Sequence, residues 1–257
     1  MNTAEPGPCR LLSWDTDFFH FRIARVEGDS LSDARALQID EWSRNNRIRC
    51  IYFLARVDDP ASVRAAEKHG FLLVDIRLTF QRKLDLAEPL TGAGQTEAYG
   101  IRTVRKDDLS ELQAIAVKAH TNTRFFSDVL FPRERAEALY STWIALECQG
   151  RAQKVLVSVS AADRPLGYIT CRSDSKRREG QIGLLGVTNE VRRQGIGNSL
   201  VLAALHWLSR QGVQTVSVVT QGRNPSALRL YERCGFLVRD LQFWYHKWYP
   251  TTENNRT

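Results

Sequence analysis

One stretch of this sequence occurs twice in similar form. Residues 59–71 read DPASVRAAEKHGF, and residues 224–236, which begin 165 positions later, read NPSALRLYERCGF. The same shift, without a gap, also pairs Trp42 with Trp207. A constant offset that extends beyond the matching stretch indicates an internal repeat. The chain is therefore predicted to contain two related units with the same order of helices and strands.

Each copy has the pattern of helix, strand, helix and strand. NSLVLAALHWLSRQG places its apolar residues on one helix face, whereas TVSVVT and its counterpart CIYFLARV are typical of strands. Asp59 and Asn224 are capping residues, and each precedes a proline at the first helical position. Gly70 and Gly235 stand where a helix ends in the left-handed conformation. The stretches FLLVDIRLTFQRK and FLVRDLQFWYHKW then alternate as strands.

The stretch LDLAEPLTGAGQTEA between the copies is rich in proline, glycine and small polar residues, which is typical of a linker. The C-terminal copy is preceded by a longer segment that predicts a strand, an amphipathic helix and a pair of strands. We therefore expect four parts: a reduced N-terminal unit at 10–83, a linker at 84–96, a complete unit at 97–250 and a frayed tail at 251–257.

The composition limits the classes of partner. The formal net charge is +7, but lysine and arginine are dispersed, so a phosphorylated small molecule is favoured over nucleic acid. No segment reaches the length of apolar residues that a membrane helix needs. The five cysteines have no metal-ligand spacing, which predicts reduced thiols and no metal site: Cys9, Cys50, Cys148, Cys171 and Cys234. We expect a soluble, cytoplasmic protein that binds neither nucleic acid nor membrane, with homodimerisation left open.

The two copies differ most at the turn before their first shared helix. The C-terminal copy reads RRQGIGNS at 192–199, and the N-terminal copy reads EGDSLSDA at 27–34. A glycine-rich turn that leads into a helix presents backbone N–H groups to an anion, and two adjacent arginines add charge. The simpler alternative is a tight turn with solvated arginines. Because Glu27 and Asp29 repel phosphate, we expect an anion site in the C-terminal copy only.

The second difference is Tyr231, which stands opposite Ala66. A phenol at the end of a helix beside an anion site can donate a proton to a developing thiolate or alkoxide as a general acid. The alternative is that Tyr231 is a half-buried packing residue. The differences between the copies thus mark candidate chemistry, whereas the shared caps and glycines mark the requirements of the fold.

The run RRQGIG followed by NPSALRLYERCGF resembles the GNAT superfamily of acyl-CoA N-acyltransferases over about residues 97–249. The resemblance implies an α/β (α+β) fold with a mixed, mostly antiparallel twisted sheet flanked by helices, here preceded by a smaller, degenerate half-GNAT unit. It also implies an enzyme that uses acetyl-CoA as acyl donor and needs no metal. An amine then attacks the thioester directly, and the protein supplies proximity, carbonyl polarisation and proton transfer.

The resemblance also implies a set of site residues. Loop residues hold the cofactor pyrophosphate: Arg192, Arg193, Gln194, Gly195, Ile196, Gly197 and Asn198. The preceding strand splays, so that main-chain groups of Leu185, Gly186 and Val187 bind pantetheine and polarise the carbonyl. Asn224 contacts the pantetheine arm in addition to its capping role, and Tyr231 protonates the departing thiolate.

A narrower resemblance covers nearly the whole chain. LSWDTDFFHFRIARV and the stretch 121–144 look like the TDP-fucosamine acetyltransferase group. This resemblance implies that the acceptor is the 4-amino group of a TDP-linked 4-amino-4,6-dideoxy sugar. Arg124 and Asp128 are then candidate acceptor contacts, and Phe125 is a candidate wall of the acceptor pocket. The alternative is that the phenylalanines of this stretch belong to the core and that Asp128 caps a turn.

The general base stays open at this stage. Many GNAT members carry a carboxylate on the strand before the loop, but GQIGLLGV at 180–187 contains none. His120, Asp128, a chain of waters, or no base at all if the amine arrives neutral, are the alternatives. Two other functions also remain open: acetylation of a protein N-terminus or lysine, and a non-catalytic module that binds CoA or nucleic acid.

Overall fold

The computed structural model describes residues 7–85 and 99–250. Its strands are β1 Cys9–Leu11, β2 Ile23–Val26, β3 Cys50–Arg56, β4 Leu72–Lys83, β5 Gly100–Thr103, β6 Lys154–Val159, β7 Pro165–Asp174, β8 Glu179–Val187, β9 Thr215–Gln221 and β10 Leu237–Trp248. Its α-helices are α1 Ser13–Phe19, α2 Asp33–Asn45, α3 Pro60–Lys68, α4 Leu109–Ala119, α5 Arg124–Ser127, α6 Arg133–Leu146, α7 Ile196–Arg210 and α8 Pro225–Arg233. No helix in these two ranges has the length and apolar character needed to cross a membrane.

The element bounds confirm the repeat. Adding 165 to the bounds of β3, α3 and β4 gives the bounds of β9, α8 and β10. Asp59 and Asn224 both accept a hydrogen bond from the backbone three residues ahead, at Ser62 (3.1 Å) and Ala227 (3.2 Å). Each cap is followed by proline, and the glycines after the two helices have φ of 76° and 75°. The predicted caps and helix ends are therefore confirmed.

The chain forms two compact units that do not coincide with the two sequence copies. The described part of the first unit comprises 7–77, 127–135 and 241–250, and that of the second comprises 78–85, 99–126 and 136–240. The units thus divide differently from the expected parts at 10–83 and 97–250, because β4 and β10 each pass from one unit into the other. Most of the expected linker, and the tail at 251–257, lie outside the described residues.

The first unit contains the strand order β1-β2-β3-β10. Strand β2 is parallel to β3, and β10 is antiparallel to β3 from Gln242 opposite Arg56 to Trp248 opposite Cys50. One side of these strands packs against α2 and α3 through buried apolar residues, among them Ala36, Ile39, Ala66, Phe71 and Tyr245. The last strand of the C-terminal copy is therefore held by the N-terminal copy.

The second unit contains the strand order β4-β9-β8-β7-β6-β5. Strands β5 to β8 pair antiparallel, and β8 is parallel to β9. Alternate residues of β7 face opposite sides of the sheet: a Cβ at Gly167 would meet Leu200 of α7, whereas Tyr168 contacts His120 after α4. Helices α4 and α7 therefore cover opposite faces. This mixed, mostly antiparallel sheet flanked by helices confirms the predicted fold class.

Candidate active site

The turn before α7 presents a row of backbone donors. Arg193 and Gly195 have positive φ, 63° and 86°, which turns the peptide groups of the loop toward one side. No side chain caps α7. Within the described residues, the six successive N–H groups of 193–198 donate to no protein acceptor. A helix N-terminus with this many free donors is an anion-binding arrangement.

The side chains of the loop add to this arrangement. Arg192, Arg193 and Gln194 are exposed, and a Cβ built on Gly195 would meet no atom within 4 Å. A ligand can therefore approach the backbone at Gly195 closely. The Tyr99 phenol donates to the side-chain oxygen of Gln194, which ties the loop to the residue before β5. The loop lies at the N-terminus of α7, a helix of 15 residues, so the positive end of the helix dipole adds to its attraction for an anion.

In the first unit, the loop that corresponds to 192–199 lies at 27–34, and several of its polar groups form hydrogen bonds within the protein. The backbone N–H of Leu31 donates to Ser62 Oγ at 2.7 Å, and that of Arg35 donates to Ser32 Oγ at 3.2 Å, capping α2. The Arg35 guanidinium donates to the carbonyls of Ser30 and Glu27. Part of the hydrogen-bonding capacity of this loop is thus used within the protein, and the absence of an anion site in the N-terminal copy stays a prediction.

Strands β8 and β9 separate along their length. Their pairing begins at Glu179 opposite Thr215 and ends at Ile182 opposite Val218, although β8 continues to Val187. On the other edge, the Thr188 N–H donates to Leu166 O at 2.9 Å. Because backbone groups alternate in direction along an antiparallel ladder, those of Leu185 and Val187 point away from β7, into the gap. The expected splay of this strand is present, with backbone groups directed into it.

Gly186 lies between these two residues and is required by packing. A Cβ at Gly186 would come within 2.8 Å of the Tyr168 ring and 3.0 Å of its hydroxyl oxygen. The buried Tyr168 ring fills the space beside β8 at this point. Tyr168 was missed by sequence reasoning, because its strand lies outside the recognised motifs.

Tyr231 lies on α8 with its ring inside the core of the second unit. The side chain is 4% exposed, and its ring centroid lies 5.9 Å from that of Phe80 and 5.8 Å from that of Phe236. Its hydroxyl forms no hydrogen bond with any residue that the structure describes. Burial, and secondarily the nearby Cys234, raise the pKa of Tyr231 well above that of an ordinary tyrosine. The phenol is therefore protonated at neutral pH and retains its donor capacity.

Asn224 can both cap a helix and donate hydrogen bonds to a ligand. Its side-chain oxygen caps α8, while its side-chain N–H groups donate to no acceptor in the described ranges. Asn198, the last residue of the predicted loop set, accepts from the Cys234 thiol at 3.2 Å. This contact joins the start of α7 to the end of α8, so the loop and the Tyr231 helix are held together.

His120 follows α4 and lies between two tyrosines. Its Nε2 is 3.0 Å from the Tyr168 hydroxyl, and its ring stacks on that of Tyr140 with centroids 4.6 Å apart. Burial, and secondarily the positive charge of Arg192, lower the pKa of His120 to about 4. The imidazole is therefore neutral at physiological pH.

The predicted acceptor residues fall into both units. Arg124 and Phe125 belong to the second unit, where the guanidinium lies 4.1 Å from the Phe125 ring centroid. Phe125 is 4% exposed, and its ring meets that of Trp143 edge to face. Its burial agrees with the core alternative, while the role of Arg124 and Phe125 as acceptor contacts stays a prediction.

Asp128 belongs to the first unit, where its carboxylate receives three donors. His246 Nδ1 and Trp248 Nε1 lie 2.6 and 2.8 Å from Oδ2, and the Leu130 N–H lies 3.1 Å from Oδ1. Burial alone would raise the pKa of this carboxyl, but the hydrogen bonds from His246 and Trp248 outweigh it and lower the pKa. Asp128 thus caps a turn, as the simpler alternative had it.

Comparison with known proteins identifies the relatives of this architecture. Residues 112–236 match the family model described as the acetyltransferase (GNAT) family. Over 237 residues the chain is 25% identical to dTDP-fucosamine acetyltransferase of Escherichia coli, which covers 92% of this chain and 96% of that protein. It is 34% identical over 85 residues to N-alpha-acetyltransferase 30 of Saccharomyces cerevisiae, which covers 32% of this chain and 48% of that protein.

A solved structure supports the same fold. The GCN5-related N-acetyltransferase from Sphaerobacter thermophilus matches with a TM-score of 0.67 and 18% sequence identity, over 93% of this chain and 76% of that one. At this identity, the likeness shows a shared fold. The strand splay, the donor loop and the Tyr231 helix all lie within residues 112–236, the segment that matches the GNAT family model.

Proposed function

We propose that this chain, whose residues 112–236 match the GNAT family model, is an acetyl-CoA-dependent N-acetyltransferase whose acceptor is the 4-amino group of a TDP-linked 4-amino-4,6-dideoxy sugar. The acceptor assignment rests on how much of this chain is similar to one relative. The similarity to the Escherichia coli enzyme extends over 92% of this chain, well beyond the 112–236 segment that defines the family.

The donor loop binds the diphosphate of acetyl-CoA. The free N–H groups of 193–198, at the positive end of α7, point at the anion, and the exposed Arg192 and Arg193 add charge-assisted contacts. The open space beside Gly195 admits the phosphate oxygens to the backbone. These groups are fixed before binding, which lowers the entropic cost of holding the ligand.

The reaction takes place beside the gap between β8 and β9. Main-chain groups of Leu185 and Val187 bind the pantetheine arm and polarise the thioester carbonyl. The amine nitrogen attacks the carbonyl carbon, a C–N bond forms, and the C–S bond breaks. The Tyr231 phenol, which is protonated at neutral pH, donates to the negative charge that develops on sulfur. Asn224 orients the pantetheine through its uncommitted N–H groups.

On the acceptor side, Arg124 and Phe125 contact the nucleotide sugar. The guanidinium already lies against the Phe125 ring, and this pairing limits its rotamers. Asp128 acts as the anchor of its own turn, because both of its oxygens receive protein donors. We therefore assign acceptor contact to Arg124 and Phe125 and a structural role to Asp128.

A panel of acceptors tests the proposal. Purified protein is mixed with acetyl-CoA and either TDP-4-amino-4,6-dideoxy sugars, unmodified TDP-sugars or amino sugars without the nucleotide, while free thiol is followed. We expect thiol release with the nucleotide-linked amino sugars, and mass spectrometry should find an added acetyl group on the sugar. Thiol release that is no faster with any TDP-amino sugar than without acceptor contradicts the proposal.

One observation favours a second acceptor class. The yeast N-alpha-acetyltransferase is the more identical of the two relatives named above, at 34%, although over only 32% of this chain. The corresponding function is acetylation of a protein N-terminus. Peptides with different N-terminal residues, assayed under the same conditions, separate the two: the sugar assignment predicts no peptide labelling above the rate without enzyme.

A further inference from the structure

The second unit contains a buried chain of aromatic groups that leads from its reactive strand to His120. The Tyr168 ring fills the space beside Gly186, whose neighbours Leu185 and Val187 direct backbone groups into the gap. The Tyr168 hydroxyl oxygen is the atom that meets His120 Nε2, at 3.0 Å. His120 is therefore one side chain away from the strand that holds the thioester in the proposed function.

The surroundings of His120 fix both its orientation and its charge. Tyr140 of α6 stacks on one face of the ring, with an interplanar angle of 13°. Tyr168 of β7 lies beyond its Nε2, and Arg192 of the donor loop is the cationic group that acts on it. Burial and Arg192 both disfavour the imidazolium, so the ring is held as a neutral acceptor throughout the physiological pH range.

The other protein candidates for a base are less suitable. Strand β8 carries no carboxylate over 180–187. The Asp128 carboxylate receives donors from His246, Trp248 and Leu130, so both of its oxygens are already occupied by protein groups. In the second unit, the buried Glu147 carboxylate is held by the Arg172 guanidinium through Oε1, while its Oε2 has no hydrogen-bond partner among the described residues. The His120 imidazole contacts Tyr168 through Nε2. Its other nitrogen, Nδ1, has no hydrogen-bond partner among the described residues.

We propose that His120 is the general base of the reaction and that Tyr168 is the positioning residue that holds its imidazole in place. In this arrangement Nε2–H donates to the Tyr168 oxygen, and the Nδ1 lone pair faces the amine. As the C–N bond forms and the C–S bond breaks, the amine proton passes to Nδ1, while the thiolate receives the Tyr231 proton. His120 then releases its proton to solvent, and Tyr231 recovers one. The inference rests on the proposed function for the identity of the amine, but the base role applies to any primary amine.

Kinetics with chemical rescue test the base role. We expect His120→Ala to lower kcat about 100-fold while the Kd of acetyl-CoA changes less than about threefold. Added imidazole should restore at least about tenfold of the loss, since it can occupy the vacated space and accept the proton. His206→Ala is the matched control, because His206 is exposed on α7, and its kcat should be unchanged. A loss below about threefold, or a folded variant that imidazole does not rescue, overturns the proposal.

The pH dependence of His120→Ala tests whether His120 accepts a proton, and the conservative variant Tyr168→Phe tests whether Tyr168 positions His120. The deficit of His120→Ala should shrink as pH rises from 7 to 10, because hydroxide increasingly replaces the missing base, whereas a packing defect gives a constant deficit. Tyr168→Phe keeps the ring beside Gly186 and removes only the oxygen. We expect it to lower kcat about tenfold without changing the Kd of acetyl-CoA. Full activity of Tyr168→Phe removes Tyr168 from the proposal.

A measurement that needs no turnover separates this inference from the acceptor assignment. In wild-type protein labelled with ¹⁵N-histidine, His120 should be neutral at pH 7 with its proton on Nε2. A proton on Nδ1 overturns the proposal, whatever the acceptor is. If the enzyme acetylates a simple primary amine but no TDP-amino sugar, the sugar assignment fails, and the His120 comparison is made with that amine.

Discussion

Tyr231 and Ala66 occupy the same position in the two copies, and their surroundings explain the exchange. Ala66 is fully buried in the core of the first unit beside Phe71 and Tyr245. Tyr231 is almost as buried, but its phenol oxygen is left without a protein partner among the described residues. A phenol oxygen that no described protein group occupies can donate to a ligand, whereas the Ala66 side chain offers no donor, so the exchange adds chemical capacity to one copy only.

Replacement of Tyr231 by Phe isolates the phenol oxygen. We expect Tyr231→Phe to lower kcat about 100-fold, because the developing thiolate loses its donor, while the Kd of acetyl-CoA changes less than about threefold. Thiol-release kinetics and calorimetric titration measure the two quantities. Tyr245→Phe is the control, because it removes a buried phenol oxygen whose partner is Glu67 in the first unit, and should leave kcat unchanged. Equal kcat values for Tyr231→Phe and the wild type would remove the acid role.

The backbone at Gly195 offers a second single-residue test. Gly195 and Gly212 have φ of 86° and 74°, and a Cβ on either would meet no atom within 4 Å. Alanine at each position should therefore destabilise the fold similarly, by about 1 kcal/mol of unfolding free energy, through backbone strain alone. We expect only Gly195→Ala to weaken acetyl-CoA binding, by about tenfold, because only Gly195 lies in the donor loop. Equal acetyl-CoA affinities of the two variants would contradict the loop assignment.

At the scale of the element, one carboxylate holds the turn that precedes α4. Asp108 receives two hydrogen bonds from the Arg102 guanidinium, at 2.7 and 2.9 Å, and one from the Arg105 N–H at 2.7 Å. The hydrogen bonds from Arg102, partly opposed by burial, lower the pKa of Asp108. A carboxylate whose pKa is lower in the folded state stabilises the protein at neutral pH and loses this effect in acid.

Asp108→Asn should therefore have a pH-dependent effect. We expect a loss of about 2 kcal/mol in unfolding free energy at pH 7, because the charged hydrogen bonds are lost. The difference from the wild type should shrink as pH falls from about 4, where the unfolded carboxyl titrates, through the lower folded pKa. Urea unfolding at pH 7 and pH 3 measures it. Asp107→Asn, at the exposed neighbouring position, should show neither effect; a pH-independent difference for Asp108→Asn would contradict the assignment.

At the scale of the whole molecule, the two copies exchange their last strands. The strand of the C-terminal copy, β10, pairs with β3 through seven residue pairs, and the strand of the N-terminal copy, β4, lies next to β9. Each compact unit therefore contains a strand from the other sequence copy. The unit with the anion-binding loop thus contains part of a strand from the copy that lacks such a loop.

The exchange predicts how fragments behave. We expect residues 99–257, expressed alone, to aggregate, because β9 then lacks β4 and β10 lacks β3, which leaves unpaired strand edges. Co-expression with residues 1–85 should yield a soluble complex that binds acetyl-CoA, since both pairings can form again. Size-exclusion chromatography and calorimetry measure the two outcomes. A monomeric 99–257 fragment with wild-type acetyl-CoA affinity would show that the exchanged strands are dispensable.

The local features of the fold and site could be predicted from the sequence. The caps at Asp59 and Asn224, the glycine helix ends and the donor turn at 192–198 all depend on residues within a few positions of each other. Hydrogen bonds of this range form the same way wherever the segment lies, so their patterns can be recognised without the rest of the chain. The splay of β8 was implied by family resemblance, and the end of its pairing with β9 agrees with it.

The sequence by itself determined the repeat, the order of the matching elements and the difference between the two loops. Only the tertiary structure decided that β4 and β10 are exchanged, that Asp128 is bound by His246 and Trp248, and that Tyr168 connects His120 to Gly186. These contacts join residues dozens to more than a hundred positions apart. Which strand edge or side chain meets which is set by the packing of the whole core, and an alternating strand pattern is compatible with many partners.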